Sequence, residues 1–150
     1  MNKICQNAEE FLIEMVDDFG FDLEVTSTIN EDEGCVFDFS GPDVSFVLSD
    51  NGEMLDAFET LLFQVYGREL ERKHRFICDA EGFRQTRKQE LYAMANFAAN
   101  SVREKGLPFT FGVLSSSERR AIHLALEKED DLTTESVGDG RERRLQVKFK

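Results

Sequence analysis

The sequence lacks the marks of a secreted, membrane-spanning or metal-binding protein. Its three cysteines, Cys5, Cys35 and Cys78, are widely spaced and contain no C-x-x-C pair, so neither a disulfide framework nor a zinc site is indicated and we expect reduced thiols. The start has no apolar stretch of signal-peptide length, and nowhere do about 18 apolar residues follow one another. These absences predict a soluble cytoplasmic protein without a bound metal or other cofactor.

Recognisable catalytic motifs are also missing. The chain contains no P-loop, no H-E-x-x-H and no nucleophile elbow. A hydrolytic role for His123 would need a metal or a second base at a suitable spacing, which the sequence does not offer. We therefore predict that the protein is not an enzyme.

Basic residues are scarce in the first half of the chain. Residues 1–82 hold 5 Lys or Arg against 20 Asp or Glu, whereas residues 83–150 hold 13 against 10, which together give the net charge of −12. A molecule of this net charge is repelled at long range by nucleic acids and anionic membranes. The two halves nevertheless differ electrostatically, and only the second is basic.

The acidic half shows the pattern of a small α+β unit. Apolar residues at helical spacing before Gly20 predict a first helix, and alternation in residues 21–29 and 35–40 predicts a β-hairpin packed on it. A short apolar piece, the loop Ser49-Asp50-Asn51-Gly52, a second amphipathic helix and a strand at residues 75–80 follow. This order of elements resembles that of the prokaryotic-type (type II) KH domain.

The loop between the two helices departs from the G-x-x-G pattern with which KH domains clamp a nucleic-acid backbone. Only Gly52 of the two glycines is present, and the carboxylates of Asp50, Glu53 and Asp56 would repel a phosphate. The loop is therefore a degenerate binding loop, or a plain turn in which Asp50 or Asn51 caps the following helix.

The basic half predicts a long helix ending at Gly106, then a strand in residues 107–114. Phe109, Phe111 and Val113 share one face of that strand, where they either fill a core or stack on bases. "RRLQVKFK" at the end of the chain alternates apolar residues inward with Arg144, Gln146, Lys148 and Lys150 outward. That basic stripe is either a solvated face or part of a phosphate-binding surface.

The segment "SSSERRAIHLAL", residues 115–126, carries the most specific pattern. Ser115 and Glu118 form the S-x-x-E capping box that starts a helix. With Arg119 set at zero, His123 falls at about 40° and Arg120 at about 100°, so the three share one side of the helix. They could hold one anion, or Arg119 could pair with Glu127 or Glu90 while His123 is a boundary residue with a satisfied hydrogen bond.

Four motifs in order resemble the Jag/KhpB family of bacterial RNA-binding proteins, in which a KH domain is followed by an R-x-x-x-H domain. They are "GEMLDAFETLL", "DAEGFRQTRKQEL", "SSSERRAIH" and "TTESVGDGRERRLQV". The resemblance covers nearly all of residues 1–150. It implies a KH-like domain in residues 1–82 and, in residues 83–150, a single-stranded nucleic-acid-binding unit of two helices against a small sheet.

The resemblance also implies roles for particular residues and partners. Arg119, His123 and Arg120 would contact the nucleic-acid backbone, with Arg84 and Arg87 as weaker candidates. The family is associated with a small single-KH protein as partner. Where many relatives have a proline before the helix this chain has Ser116, and because it begins at the KH helix we expect it to lack the additional N-terminal domain of longer relatives.

Two functions remain open on the sequence. The first is non-enzymatic binding of single-stranded RNA, mainly through the second unit, with Arg144 and Lys148 adding charge. The second is a protein-interaction module, in which the acidic KH-like half docks a partner or self-associates and nucleic-acid binding is secondary or lost. The short connection near Gly82 further predicts that the two units are docked.

Overall fold

A computed structural model describes residues 2–150. The chain forms two compact units, the first ending at Arg84 and the second running from Gln85 to Lys150. Each unit combines helices with one three-stranded sheet, which confirms the predicted α+β class. The boundary after residue 82 and the docking of the units stay predictions. Within residues 2–150, no helix combines the length and the apolar character needed to cross a bilayer.

The first unit has the element order that the sequence predicts. Its elements are α1 (Asn2–Asp18), β1 (Glu24–Asn30), β2 (Gly34–Ser40), α2 (Val44–Tyr66), a 3-10 turn (Gly67–Glu69) and β3 (Arg75–Ala80). β1 and β2 form the predicted antiparallel hairpin, and β3 pairs with β2 in parallel, so the sheet order is β1-β2-β3. Side chains of α1, α2 and the sheet share one core, because each element has one apolar face.

α2 is interrupted by the loop that the sequence singled out. Ser49 is extended, whereas Asp50, Asn51 and Gly52 all have left-handed backbone conformations, with φ of 51°, 56° and 75°. Three such residues in succession reverse the chain between a short helical segment and the long one that follows. Within the described structure no side-chain hydrogen bond of Asp50 or Asn51 caps the second segment, so the predicted capping role is not observed.

The prediction that all three cysteines are reduced is wrong. Cys5 of α1 and Cys35 of β2 form a disulfide, with their Cα atoms 5.6 Å apart, and Cys78 is the buried free thiol. The 30-residue separation of the pair does not prevent bonding, because packing of α1 on the sheet brings the two positions together. The argument from reduced thiols to a cytoplasmic location therefore loses its support.

The second unit is built from two helices and three strands. Its elements are α3 (Phe83–Lys105), which begins just before the boundary, β4 (Phe109–Thr110), α4 (Ser116–Leu126), β5 (Leu132–Val137), a 3-10 turn (Gly140–Glu142) and β6 (Arg144–Phe149). β6 lies between β4 and β5 and is antiparallel to both. One core contains buried residues of both helices and of the sheet, as the predicted arrangement of two helices against a small sheet requires.

Three apolar residues of the second unit lie outside the predicted core. The strand in residues 107–114 is only two residues long, so Phe111 is buried but Val113, beyond the paired residues, is 65% exposed. Phe149 at the end of β6 and Ala121 on α4 are also exposed. Alternation and helical spacing predicted the direction of these side chains but not where the covering elements stop.

Candidate nucleic-acid interface

The predicted capping box fixes the start of α4. The Ser115 hydroxyl accepts from the backbone N–H of Glu118 at 3.2 Å, and the Glu118 carboxylate accepts from the backbone N–H of Ser115 at 2.9 Å. Both bonds satisfy donors that a helix N-terminus otherwise leaves unpaired. The capping box therefore sets the positions of the next two turns, which carry the arginines and the histidine.

Arg119 is held in place by neutral groups. Its Nη1 donates to the Leu114 carbonyl at 2.7 Å and its Nη2 donates to the Ser116 hydroxyl at 3.0 Å. In the described structure it pairs with neither of the two carboxylates considered from the sequence. The guanidinium is therefore oriented, and its positive charge is not neutralised by an ion pair.

A second arginine explains why Glu118 does not take up that charge. Arg87 of α3 donates to Glu118 at 2.7 Å and to Glu90 at 2.9 Å. The side chains of Arg87 and Glu118 are only 14% and 13% exposed. Burial lowers the pKa of the Arg87 guanidinium, but hydrogen bonds with the two carboxylates outweigh that effect and raise it overall. Arg87 thus joins α3 to the capping box.

His123 lies one turn after Arg119 and contacts the sheet. Its Nδ1 is hydrogen-bonded to the hydroxyl of Thr134 on β5, while the ring as a whole remains exposed. The satisfied hydrogen bond matches the boundary role considered from the sequence, and it also fixes the ring and turns Nε2 away from Thr134. Arg120 is exposed, and no ion pair or hydrogen bond among the described residues involves its side chain.

Arg144 and Lys148 do not join this cluster. Leu145 and Val147 of β6 are buried against the helices, so the alternating side chains of Arg144 and Lys148 lie on the opposite face of the sheet. Lys148 donates to Glu135 at 2.8 Å, and Arg144 is 3.6 Å from a carboxylate oxygen of Glu142. A role for this face in binding stays a prediction.

Arg84 belongs to an ion-pair cluster of the first unit. Its guanidinium donates to Asp56 at 2.7 Å, to Glu59 at 2.8 Å and to the carbonyl of Cys78 at 3.1 Å. Burial raises the pKa of the Glu59 carboxyl, although a backbone N–H of Cys78 and the Arg84 charge act against the rise. These contacts occupy the Arg84 guanidinium, and its predicted role in nucleic-acid binding is untested.

The degenerate loop is acidic and anchored by packing. Asp50 and Glu53 are exposed. Gly52 is buried, and a Cβ atom at this position would lie 2.5 Å from the ring of Phe83. Gly52 is therefore required by the fold of this unit, whatever the loop binds. Among residues 2–150 there is no group of three or more His, Cys, Asp or Glu side chains that could hold a metal ion.

Sequence reasoning missed the groups that orient the candidate residues. The Leu114 carbonyl, the Ser116 hydroxyl and Thr134 each hold Arg119 or His123. A carbonyl carries no sequence signal, and Thr134 lies 11 residues from His123 on a strand. Only Ser116, three residues before Arg119 on the same helix, could have been predicted from helical spacing.

Comparison with known proteins agrees with this arrangement. Residues 89–149 match the family model of the R-x-x-x-H domain, which is named for an Arg and a His separated by three residues. The chain is 26% identical over 144 residues to the RNA-binding protein KhpB of Clostridium symbiosum, which covers 95% of this chain and 65% of that protein. It is 28% identical over 126 residues to the RNA-binding protein KhpB of Bacillus subtilis (strain 168), which covers 82% of this chain and 61% of that protein.

The matches differ in extent between the two units. The family model covers most of the second unit and none of the first, so the KH-like character of the first unit stays a prediction. The chain spans less than two thirds of the length of both curated relatives. Taken together, the match to the R-x-x-x-H domain and the two relatives support, at low identity, the Jag/KhpB family for this chain.

Proposed function

We propose that this protein binds single-stranded RNA without catalysing a reaction, and that the second unit holds a phosphate with Arg119, Arg120 and His123. The names of the two relatives and the match to the R-x-x-x-H domain support RNA binding. The observation that carries the proposal is the state of Arg119, which is oriented by neutral acceptors and lacks an ion pair in the described structure.

The contrast with other arginines of the chain makes this observation informative. Arg84, Arg87 and Arg103 each contact two carboxylates. A guanidinium offers five N–H donors, and Arg119 uses one on each Nη, so donors remain for a phosphate. Because a phosphate need not displace a carboxylate here, Arg119 is better placed than the paired arginines to bind one.

The neighbours of Arg119 extend the positive surface. Residues four apart on a helix lie about 5–6 Å apart at their Cβ atoms, so one phosphate can reach both Arg119 and the His123 ring. Arg120 adds a second full charge on the same side of α4. The N-terminal end of the helix dipole also favours an anion beside Arg119.

The negative total charge of the chain weakens this interaction without preventing it. At physiological salt, screening reduces the reach of exposed charges to about 8 Å. A basic cluster farther than that from the acidic residues can act independently. We therefore propose weak binding that decreases as salt increases.

Replacing Arg119 by Ala tests the proposal. A lost charge-assisted hydrogen bond costs about 1.5–3 kcal/mol, so R119A should reduce affinity for a single-stranded oligonucleotide by about tenfold to a hundredfold. Fluorescence anisotropy across a salt series measures this, and circular dichroism checks that the fold is retained. H123A should cost less, because the ring contributes a single donor.

The matched control is R72A, which removes the same charge from an exposed turn of the first unit. It should leave affinity within about twofold of the wild type, since exposed charges away from the site act only through the screened field. Wild-type affinity for R119A, or an equal loss for both variants, would contradict the assignment of the phosphate site to α4.

A further inference from the structure

An apolar groove lies between α1 and α2 of the first unit, and no part of the RNA-binding proposal uses it. Met15 and Phe19 of α1 face Met54, Phe58 and Leu61 of α2 across a cavity of about 370 Å³. Methionine side chains adapt their shape to different apolar partners, so a groove with one on each wall can accommodate a variable side-chain surface.

The apolar surface continues beyond the groove at its loop end. Phe19 is 59% exposed, and its ring lies 6.1 Å from that of Phe21, which stacks at 5.3 Å on Phe46. Phe46 precedes the loop and is 52% exposed. Contiguous exposed apolar surface of this kind marks an interaction site more often than a solvated face.

The charge around the groove is of one sign. Asp50 and Glu53 line it directly. Between Lys3 and Arg68 the chain contains 16 Asp or Glu and no Lys, Arg or His, and this basic-free stretch includes almost all of α1, the hairpin and α2. No cation on these elements offsets the two carboxylates at the groove.

We propose that this groove binds an amphipathic helix of a partner protein whose apolar face is flanked by Lys and Arg. Apolar side chains at positions i, i+3 or i+4 and i+7 of such a helix would enter the groove between α1 and α2. Its basic residues would meet Asp50 and Glu53 at the rim, where complementary charge favours both association rate and register.

Other occupants fit the same surface less well. The carboxylates that attract a basic helix repel RNA phosphates. A symmetric contact between two copies would place Asp50 and Glu53 of one chain near the same acidic surface of the other, and like charges across an interface are unfavourable. The inference is independent of whether the second unit binds RNA.

Three helical model peptides of about 18 residues, measured against the full chain by fluorescence anisotropy, test the groove. The first carries Leu at helical spacing with Lys between, the second replaces Lys by Glu, and the third has the composition of the first in scrambled order. We expect the first to bind at least about tenfold more tightly than either of the others, since only it combines the apolar face with the complementary charge.

Matched variants assign the binding to the groove. F19S should weaken binding of the first peptide by about tenfold, whereas F63S, which removes an equally exposed phenylalanine of α2 outside the groove, should leave it unchanged. D50N/E53Q should weaken binding by about threefold at low salt but not at high salt. The control E31Q/D32N removes two charges from the hairpin turn and should have no such effect.

Several results would overturn the proposal. Equal binding of the first and scrambled peptides, or equal effects of F19S and F63S, would show that the peptide is attracted by general charge. Self-association of the chain that F19S abolishes would identify a second copy as the occupant. Protection of Phe19 and Met54 on addition of single-stranded RNA, seen in methyl and aromatic NMR spectra, would assign the groove to nucleic acid.

Discussion

Gly52 carries two separate constraints, a left-handed backbone and close packing on Phe83. Alanine has a Cβ atom that disfavours φ of 75°, which costs about 1–2 kcal/mol, and here that atom would also lie 2.5 Å from the Phe83 ring. We expect G52A to lower the free energy of unfolding by about 2–4 kcal/mol in urea denaturation.

Gly20 separates the two constraints, because it has φ of 74° but no atom within 4 Å of the position that a Cβ would occupy. G20A should therefore cost only the backbone contribution, about 1–2 kcal/mol. In the double variant G52A/F83L, part of the additional loss should be recovered. Equal losses for G20A and G52A would show that packing on Phe83 does not restrict this position.

Arg84 makes the stability of the first unit depend on pH through Glu59. Burial already raises the pKa of Glu59, and R84M removes the charge that opposes the rise, so the pKa should increase further. A carboxyl whose folded pKa exceeds its unfolded pKa loses stabilising free energy as pH rises through the interval between them. R84M should therefore be destabilised at pH 7, by about 1–3 kcal/mol for a partly exposed pair, and less so near pH 4.5.

The double variant R84M/E59Q tests the cause of this pH dependence, since it has no carboxyl at position 59. Its deficit relative to wild type should be similar at pH 7 and near pH 4.5. NMR titration of the Glu59 side chain in wild type and R84M measures the pKa directly, and an unchanged or lower value in R84M would refute the assignment.

Partners of charged residues were the least predictable feature of the site. The spacing of "ERRAIH" placed Arg119, Arg120 and His123 on one side of a helix, and α4 has that geometry. Spacing could not show that Arg87 neutralises Glu118, because these residues are 31 positions apart and meet only when α3 packs beside α4. The disulfide between Cys5 and Cys35 escaped prediction for the same reason.

The start of α4 is the element on which the candidate site depends. Replacing the N-cap Ser115 by Ala leaves the backbone N–H of Glu118 without its acceptor and should cost about 0.5–2 kcal/mol of stability. It should also weaken RNA binding, since the position of Arg119 depends on the first turn. Thermal unfolding and anisotropy measure the two effects.

Ser117 provides the comparison, because it lies in the same turn but accepts no backbone hydrogen bond in the described structure. S117A should change stability by less than about 0.5 kcal/mol, since alanine is the better helix former. If S115A and S117A behaved alike, the capping box would not govern the start of α4.

Element types were predicted well and their limits less well. Alternation in residues 21–29 indicated a strand, but pairing begins only at Glu24, opposite Ser40. A period of two shows which residues share a face, not which of them have a partner strand. Short β4 illustrates the same limit, because residues 111–114 continue the alternation without a neighbouring strand in the second unit.

For the whole molecule, the proposed binding implies a shallow dependence on salt. Two phosphate contacts by Arg119 and Arg120 on a single strand predict a slope of log K against log salt of about −1.4, and R119A should reduce it to about −0.7. Titrations at several salt concentrations measure both slopes. A wild-type slope several times steeper would mean that many more cations take part, including those on the outer face of β6.

The basic-free stretch between Lys3 and Arg68 has a consequence for mapping any contact made by the first unit. Trypsin cleaves after Lys and Arg, so it leaves residues 4–68 as one peptide, with both halves of the Cys5–Cys35 disulfide inside it. A crosslink to the groove, the hairpin or the degenerate loop would all fall in that single fragment. Cleavage after glutamate, whose sites are spread along α1, the hairpin and α2, would distinguish these surfaces.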